Sequence, residues 1–287
     1  MKNTKVYLNG KIVPLQEAKI SVLDRGLSYG DGVFESLRTY GGKPFQLEEH
    51  LKRLLRGLKT LRIHPPLAVT QLKLAVLRTI AANKFKESYI KIMVTRGEAK
   101  RHGLDPSNAV GKPSIIILVE ELKPYPKTIF TKGWKTIISS IVRPDVPSSK
   151  IKSLCYLNNI LAKMEAKKAG ADEAFMLDER GNVLEGTVSN IFIVKHGTIY
   201  TPPKDAPILA GLTRNLIIKL AKQSAFRVAE KAISPKELYT ADECFITFSG
   251  PGIVPITRIW NKKIGSAKCG SVTASLIKLY DAETKKT

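Results

Sequence analysis

The sequence has few of the residues that cross-link small proteins or bind metals. Its 287 residues include three cysteines, Cys155, Cys244 and Cys269, at wide spacings and without a CxxC pair. This set argues against a disulfide framework or a zinc site and is typical of a reducing compartment. No uninterrupted apolar run approaches a membrane span, and the first residues have no apolar leader core. We therefore expect a soluble, cytoplasmic protein without a membrane or metal partner.

Acidic and aromatic residues are also scarce. Lys and Arg number 47 against 25 Asp and Glu, which gives a formal charge of +22. A field of that sign attracts anions, including nucleic acid and phosphorylated ligands. The basic residues are nevertheless spread along the chain, and aromatics make up only 7% of it. This distribution favours a solvated basic surface, so we do not expect nucleic acid as a partner.

Hydrophobic periodicity divides the chain into two halves that both mix helices and strands. Predicted strands cover residues 5–8, 11–13, 32–40, 89–95, 114–118, 136–141, 173–177, 191–194 and 245–248, and predicted helices cover 47–61, 69–83, 157–169, 213–223 and 272–284. Lys123-Pro124-Tyr125-Pro126 predicts an extended linker, because two prolines bracket one residue. We expect a smaller N-terminal domain over 1–122, a linker over 123–127 and a larger C-terminal domain over 128–287.

Three separate stretches carry groups with chemical potential. Lys152 precedes a predicted helix, and desolvation there would help it lose its proton and form a Schiff base. Glu185 follows 33 residues later in Leu184-Glu185-Gly186-Thr187, which leads into a predicted strand, and it could keep a pyridine nitrogen protonated. The sequence Ala210-Gly211-Leu212-Thr213-Arg214 opens a helix, where free N–H groups and a hydroxyl favour phosphate. Together they would suit a pyridoxal phosphate pocket. Taken singly, Lys152 is also consistent with a surface lysine, Glu185 with a turn glutamate and the segment at Gly211 with an ordinary helix start.

The order of several motifs resembles the class IV (fold type IV) pyridoxal-phosphate enzymes. This family includes branched-chain and D-amino acid aminotransferases and aminodeoxychorismate lyases. The resemblance covers nearly the whole chain and rests on Tyr7 to Gly10, Asp24 to Glu35, His50 to Leu54, Ile151 to Asn159, Glu185 to Phe192 and Gly211 to Arg214. It implies a two-domain, mixed α/β fold with the cofactor between the domains, and a homodimer.

The resemblance also implies roles for individual residues. Lys152 would be the Schiff-base lysine and would move the proton of the substrate α-carbon. Glu185 would pair with the pyridine nitrogen, and Tyr156 would lie near the ring hydroxyl. The phosphate ligands would be Arg53, Leu212, Thr213 and Ser249. The substrate contacts would be Tyr29, Phe34, Arg101 and His102. Cys155 and the loop at 249–253 depart from the branched-chain pattern.

The motifs give conflicting indications of the reaction. The stretch Phe34 to Arg38, with Ser36 where branched-chain members usually have glycine, favours the D-amino acid and lyase branches. Residues 242–249 with 254–257 favour the lyase branch. Lys152 to Leu154 with Tyr156 to Asn159, and Gly103 to Pro106, favour branched-chain aminotransferases. Arg101 and His102 lie in the predicted specificity loop, where they would bind a substrate carboxylate or form only an exposed basic loop.

We expect an aminotransferase that exchanges an amino group between an amino acid, of branched-chain L or D type, and a 2-oxo acid. The alternative within the family is a lyase that releases pyruvate and aminobenzoate from aminodeoxychorismate. An alternative of another class is a basic nucleic-acid-binding protein without catalysis.

Overall fold

The structure is a computed structural model that describes residues 4–286. Residues 1–3 and 287 lie outside the described residues. The start of the N-terminus, which was predicted to have no leader, and the outer ends of both predicted domains therefore also lie outside them. The described chain forms two compact units, residues 4–123 with 151–155 and residues 124–150 with 156–286. The segment around Lys152 therefore belongs to the first unit, although it lies inside the predicted C-terminal domain. The predicted domain limits, with the linker at 123–127, stay a prediction.

The first unit is an antiparallel sheet with helices packed on it. Its elements are β1 Lys5–Leu8, β2 Lys11–Pro14, α1 Arg25–Tyr29, β3 Gly32–Tyr40, β4 Lys43–Pro44, α2 Leu47–Thr60, α3 Val69–Asn83, β5 Ser88–Thr95 and β6 Ile115–Glu121. Its strand order is β2-β1-β6-β5-β3-β4. Leu51, Leu54 and Leu58 recur at helical spacing on α2, and they are buried in one core with Val76 of α3 and Ile92 of β5.

The second unit is built on a sheet that closes on itself. Its elements are α4 Thr128–Thr131, β7 Trp134–Val142, α5 Leu157–Lys168, β8 Glu173–Leu177, β9 Val183–Gly186, β10 Asn190–Lys195, β11 Thr198–Thr201, α6 Leu212–Gln223, β12 Arg227–Glu230, α7 Pro235–Tyr239, β13 Glu243–Phe248, β14 Gly252–Ile259, β15 Lys262–Lys263 and α8 Ser271–Thr284. The pairing runs β10-β13-β14-β7-β8-β9, and β9 returns to β10 through the pair Glu185 and Asn190. This single pair completes a ring of strands.

Most predicted elements are confirmed. Asn9 and Gly10 have positive φ angles of 47° and 100° and join β1 to β2 as the predicted hairpin turn. The predicted helices match α2, α3, α5, α6 and α8 within two residues at either end. Among residues 4–286, no helix combines the length and the apolar composition that crossing a bilayer needs.

Strand β14 was missed because Pro255 interrupts its apolar run. Proline lacks the N–H that a central strand normally donates, so it argues against such a strand. In the structure, Pro255 lies opposite Phe245 of β13, and the parallel pairing with β7 begins only at Ile256. The proline therefore precedes the part of β14 that is paired on both sides.

Candidate active site

Lys152 is held in the first unit by a short piece of chain that pairs with β3. Phe34 donates its backbone N–H to the Lys152 carbonyl at 2.8 Å, and Leu154 donates to the Gly32 carbonyl at 3.0 Å. The half-buried Lys152 side chain places its Nζ 4.3 Å from the centre of the Phe34 ring. A cation this close to an aromatic face is attracted by the ring. Lys152 and Phe34, predicted separately as the catalytic lysine and a substrate contact, are therefore neighbours.

Arg53 contacts a buried carboxylate of the same unit. Its Nε and Nη2 donate to the two oxygens of Glu35 at 2.7 and 2.8 Å, and Nδ1 of His50 lies 2.6 Å from Glu35 Oε2. Burial would raise the pKa of Glu35, but the charge and hydrogen bonds of Arg53, with His50, lower it to about 2. Burial also lowers the pKa of His50, against the opposing effect of Glu35. The predicted phosphate ligand is thus fixed in direction by a bidentate ion pair.

Glu185 is buried in the second unit and accepts hydrogen bonds from several segments. Its Oε2 accepts from the side-chain amide of Asn190 and from the backbone N–H of Leu209, both at 3.0 Å. Its Oε1 lies 3.1 Å from Nη2 of Arg143. Only 5% of Glu185 is exposed. A carboxylate with this many donors keeps its orientation, which a pairing with one ring nitrogen requires.

The start of α6 lies beside that carboxylate. Gly211 is the N-cap of α6, and Leu212 and Thr213 in its first turn are buried. A Cβ at Gly211 would come within 2.0 Å of Oδ1 of Asn190, so only glycine lets the chain pass this close. Since Asn190 also bonds Glu185, the structure brings the predicted carboxylate and the predicted anion-binding helix start together in one unit.

Thr247 supplies a test of whether this region fits a phosphate-bearing cofactor. It lies opposite Asn190 in the pairing of β10 with β13, and it is 1% exposed. Its Oγ1 has no hydrogen-bond partner among the described residues. A buried hydroxyl without a partner is costly in a finished fold, and an anion's oxygen would satisfy it. Together with the glycine-lined start of α6, this hydroxyl fits the predicted group.

The predicted specificity loop belongs to the first unit. The Tyr29 hydroxyl accepts the Gly103 N–H at 2.9 Å, and the buried Arg25 donates to the carbonyls of residues 103–105. Arg101 and His102 are both exposed, and Nε of Arg101 donates to Asn108 at 3.1 Å. The structure therefore joins Tyr29 to the loop that carries the basic pair, while substrate binding by these residues stays a prediction.

The two remaining predicted cofactor ligands lie in the second unit. Tyr156 is the N-cap residue of α5, half-buried. Ser249 lies in the turn between β13 and β14 and is also half-buried. Their contacts with the cofactor stay a prediction.

Sequence reasoning assigned no role to Asn190, Thr247, Arg143 or Glu173. Glu173 is fully buried on β8, where its carboxylate accepts from the N–H and hydroxyl of Thr187 and from the hydroxyl of Ser189. The available signal was polarity, because Glu173 and Asn190 open strands β8 and β10, and Thr247 lies inside β13, in segments that are mostly apolar.

The chain matches known proteins along nearly all of its length. Residues 32–259 match the family described as Amino-transferase class IV. A Methanocaldococcus jannaschii protein with a provisional name as a branched-chain-amino-acid aminotransferase is 45% identical, over 98% of this chain and 97% of its own length. The D-alanine aminotransferase of Bacillus licheniformis is 32% identical, over 95% of this chain and 94% of its own.

A solved structure extends the match to the fold. A T.th. branched-chain amino acid aminotransferase, solved with pyridoxamine 5'-phosphate, superposes with a TM-score of 0.93. It is 35% identical, over 99% of this chain and 95% of that chain. These comparisons confirm the predicted family, the mixed fold type IV architecture and the pyridoxal-phosphate aminotransferase reaction. The chain belongs to the class IV aminotransferase family.

Proposed function

We propose that this enzyme exchanges an amino group between a branched-chain L-amino acid and a 2-oxo acid, with pyridoxal 5'-phosphate as cofactor. The observation that carries the chemistry is the arrangement around Asn190, where the buried Glu185 and the start of α6 meet. The substrate class is supported by the names of the relatives, among which a Pseudomonas aeruginosa branched-chain-amino-acid aminotransferase is 36% identical over 96% of this chain.

When bound, the cofactor supplies an electron-accepting ring. Glu185 binds the ring nitrogen and keeps a proton on it, because a fixed carboxylate stabilises the adjacent N–H. Lys152 would hold the cofactor through its side-chain amine, and once freed that amine would move the proton from the substrate α-carbon to the C4′ carbon of the cofactor. The phosphate is bound by Arg53, by the N–H groups of Leu212 and Thr213, and by Ser249. Tyr156 would contact the ring hydroxyl of the cofactor.

The substrate contacts complete the proposal. Arg101 binds the substrate carboxylate with help from His102, and Tyr29 and Phe34 shape the pocket around the side chain. Tyr29 also supports the loop of Arg101 through its bond to the Gly103 N–H.

A homodimer is part of the proposal because α5 exposes a continuous apolar stripe. The stripe consists of Leu157, Ile160, Leu161 and Met164, with exposed fractions of 66%, 53%, 39% and 61%. Residues at this spacing share one helix face, and a large exposed apolar face is typical of a protein interface. A second copy of this chain is the occupant that the family resemblance implies. The cytoplasmic location stays a prediction.

The substrate assignment is tested by half-reactions of the cofactor-loaded enzyme. L-Leucine, D-alanine and aminodeoxychorismate are mixed with it separately, and conversion of the cofactor to its amine form is followed by absorbance. We expect rapid conversion with L-leucine. Conversion with D-alanine alone would identify a D-amino acid aminotransferase, and pyruvate with aminobenzoate would identify the lyase.

The role of Lys152 is tested by borohydride trapping. We expect the K152A variant to form no trapped adduct, whereas K150A forms it like the wild type. Lys150 is a suitable control because it is two residues away and pairs with Asp145 at 3.0 Å. A trapped adduct at the active site of K152A would refute the assignment.

A further inference from the structure

Asn190 makes two hydrogen bonds that tie the carboxylate to the chain leading into α6. Its Nδ2 donates to Glu185 Oε2 at 3.0 Å and to the Leu209 carbonyl at 2.9 Å, while the Leu209 N–H donates to the same Glu185 oxygen at 3.0 Å. These three hydrogen bonds form a closed cycle of Asn190, Leu209 and Glu185. Both partners of the amide nitrogen are acceptors, which fixes the orientation of the amide and leaves its oxygen toward Gly211.

The backbone reinforces this cycle from the other direction. Glu185 and Asn190 are the pair through which β9 meets β10 and the ring of strands closes. Gly211, the N-cap of α6, approaches so closely that a Cβ there would lie 2.0 Å from the amide oxygen. A shift of Asn190 would therefore displace both the Glu185 carboxylate and the start of α6.

We propose that Asn190 is the positioning residue that couples the two ends of the cofactor site, holding Glu185 toward the ring nitrogen and setting the place of the α6 start that binds the phosphate. The proposal rests on the function proposed above for Glu185 and α6. It gives Asn190 a role in which it needs no contact with substrate or cofactor.

The first test reads the ring nitrogen directly. The enzyme is loaded with cofactor labelled with ¹⁵N in the ring, and the ¹⁵N chemical shift is measured for wild type, N190A and N190D. We expect N190A to move the shift toward that of a neutral pyridine and to weaken cofactor binding roughly tenfold or more, because Glu185 loses a buried donor. N190D should do so more strongly, because an acceptor then faces two acceptors.

The matched control is N83A in the first unit. Asn83 likewise donates two hydrogen bonds from its amide nitrogen, here to the carbonyls of Lys5 and Thr79 at 2.9 and 2.8 Å, and its Oδ1 accepts the Lys5 N–H at 2.8 Å. Its loss removes at least as many hydrogen bonds as the loss of Asn190, so N83A reports the cost of a structural asparagine. We expect N83A to lower the unfolding midpoint of the cofactor-free protein without changing the ¹⁵N shift.

The second test perturbs the coupling from the helix side. G211A places a methyl group against the Asn190 amide oxygen, and we expect it to move the ¹⁵N shift in the same direction as N190A. In the double variant N190A/G211A the new methyl group no longer meets an amide oxygen. The ¹⁵N shift of the double variant should therefore be almost the same as that of N190A alone. Fully additive effects of the two changes on the ¹⁵N shift would overturn the proposal.

A further variant separates this proposal from the function on which it rests. E185A must change the ¹⁵N shift if Glu185 binds the ring nitrogen. An unchanged shift in E185A would refute the proposed role of Glu185. A changed shift in E185A together with an unchanged shift in both N190A and N190D would refute only the role of Asn190.

Discussion

The two units each bury a glutamate completely, but they stabilise it in different ways. Glu35 of the first unit faces the guanidinium of Arg53 and the ring of His50. Glu173 of the second unit accepts hydrogen bonds from neutral donors, the N–H groups of Ala174 and Thr187 and two hydroxyls. A charge pair joins a strand to a helix, here β3 to α2. Neutral donors instead fix a turn, here residues 186–189.

We therefore expect the two glutamates to affect different properties, Glu35 the stability of its unit and Glu173 the geometry of the candidate site. The pair of Glu35 and Arg53 links two elements of the first core, so we expect its loss to loosen the whole unit. The bonds of Glu173 converge on the turn between Glu185 and Asn190, and Asn159 of α5 also donates to the Thr187 carbonyl in that turn at 2.7 Å. We expect its loss to disturb the candidate site more than the fold.

The largest effect is expected from R53M, which leaves Glu35 buried without its main cation. Breaking a buried ion pair in this way costs about 3–5 kcal/mol. Hydrogen exchange of the cofactor-free protein should show lower protection in residues 32–60 and unchanged protection in residues 173–195. Equal loss of protection in both ranges would mean that the two units are not separately stabilised.

A somewhat smaller effect is expected from acid. The pKa of Glu35 is lowered from 4.5 to about 2, so the stability that it contributes is present above pH 4.5 and is lost as the pH falls toward 2. A shift of this size corresponds to about 3 kcal/mol. Because the pKa of His50 is also lowered, a further loss begins below its ordinary value of 6.5. We expect acid unfolding of the first unit to be less steep in E35Q, and an unchanged steepness would contradict this account.

E173Q should cost less stability, about 1–3 kcal/mol, because an amide group replaces one acceptor oxygen among several donors. We expect E173Q to weaken the free energy of cofactor binding by more than it lowers the free energy of unfolding of the cofactor-free protein. Equilibrium dialysis and thermal unfolding measure the two quantities. E165Q is a useful control, because Glu165 binds Ser139 and Ser140 of the same unit from α5.

The smallest effect concerns the thiols and leaves stability unchanged. Cys155 is exposed, whereas Cys244 is buried and burial raises its pKa strongly. Burial likewise raises the pKa of Cys269 to about 11. We expect a thiol reagent to modify Cys155 first and Cys244 only after unfolding, as peptide mass spectrometry would show. Early modification of Cys244 would show that the second core opens readily.

The elements with strong periodicity were predictable, and the residues that act through one another were not. The leucine spacing of α2 and the Asn9-Gly10 turn each follow from local rules. Lys152 and Glu185 were singled out by local chemistry and by the family resemblance. Asn190 and Thr247 could not be assigned, because their significance comes from partners 19 and 57 residues away along the chain, at Leu209 and Asn190.

The pairing of Lys152 with β3 has a consequence for how the protein is made. Residues 151–155 reach the first unit only after a long intervening stretch of chain, and closing such a loop is slow compared with forming a hairpin. A growing polypeptide therefore cannot finish its first unit until residue 155 has left the ribosome. A fragment cut after Lys123 would lack that piece, so splitting the gene at the proline-rich connection would separate the first unit from its own lysine.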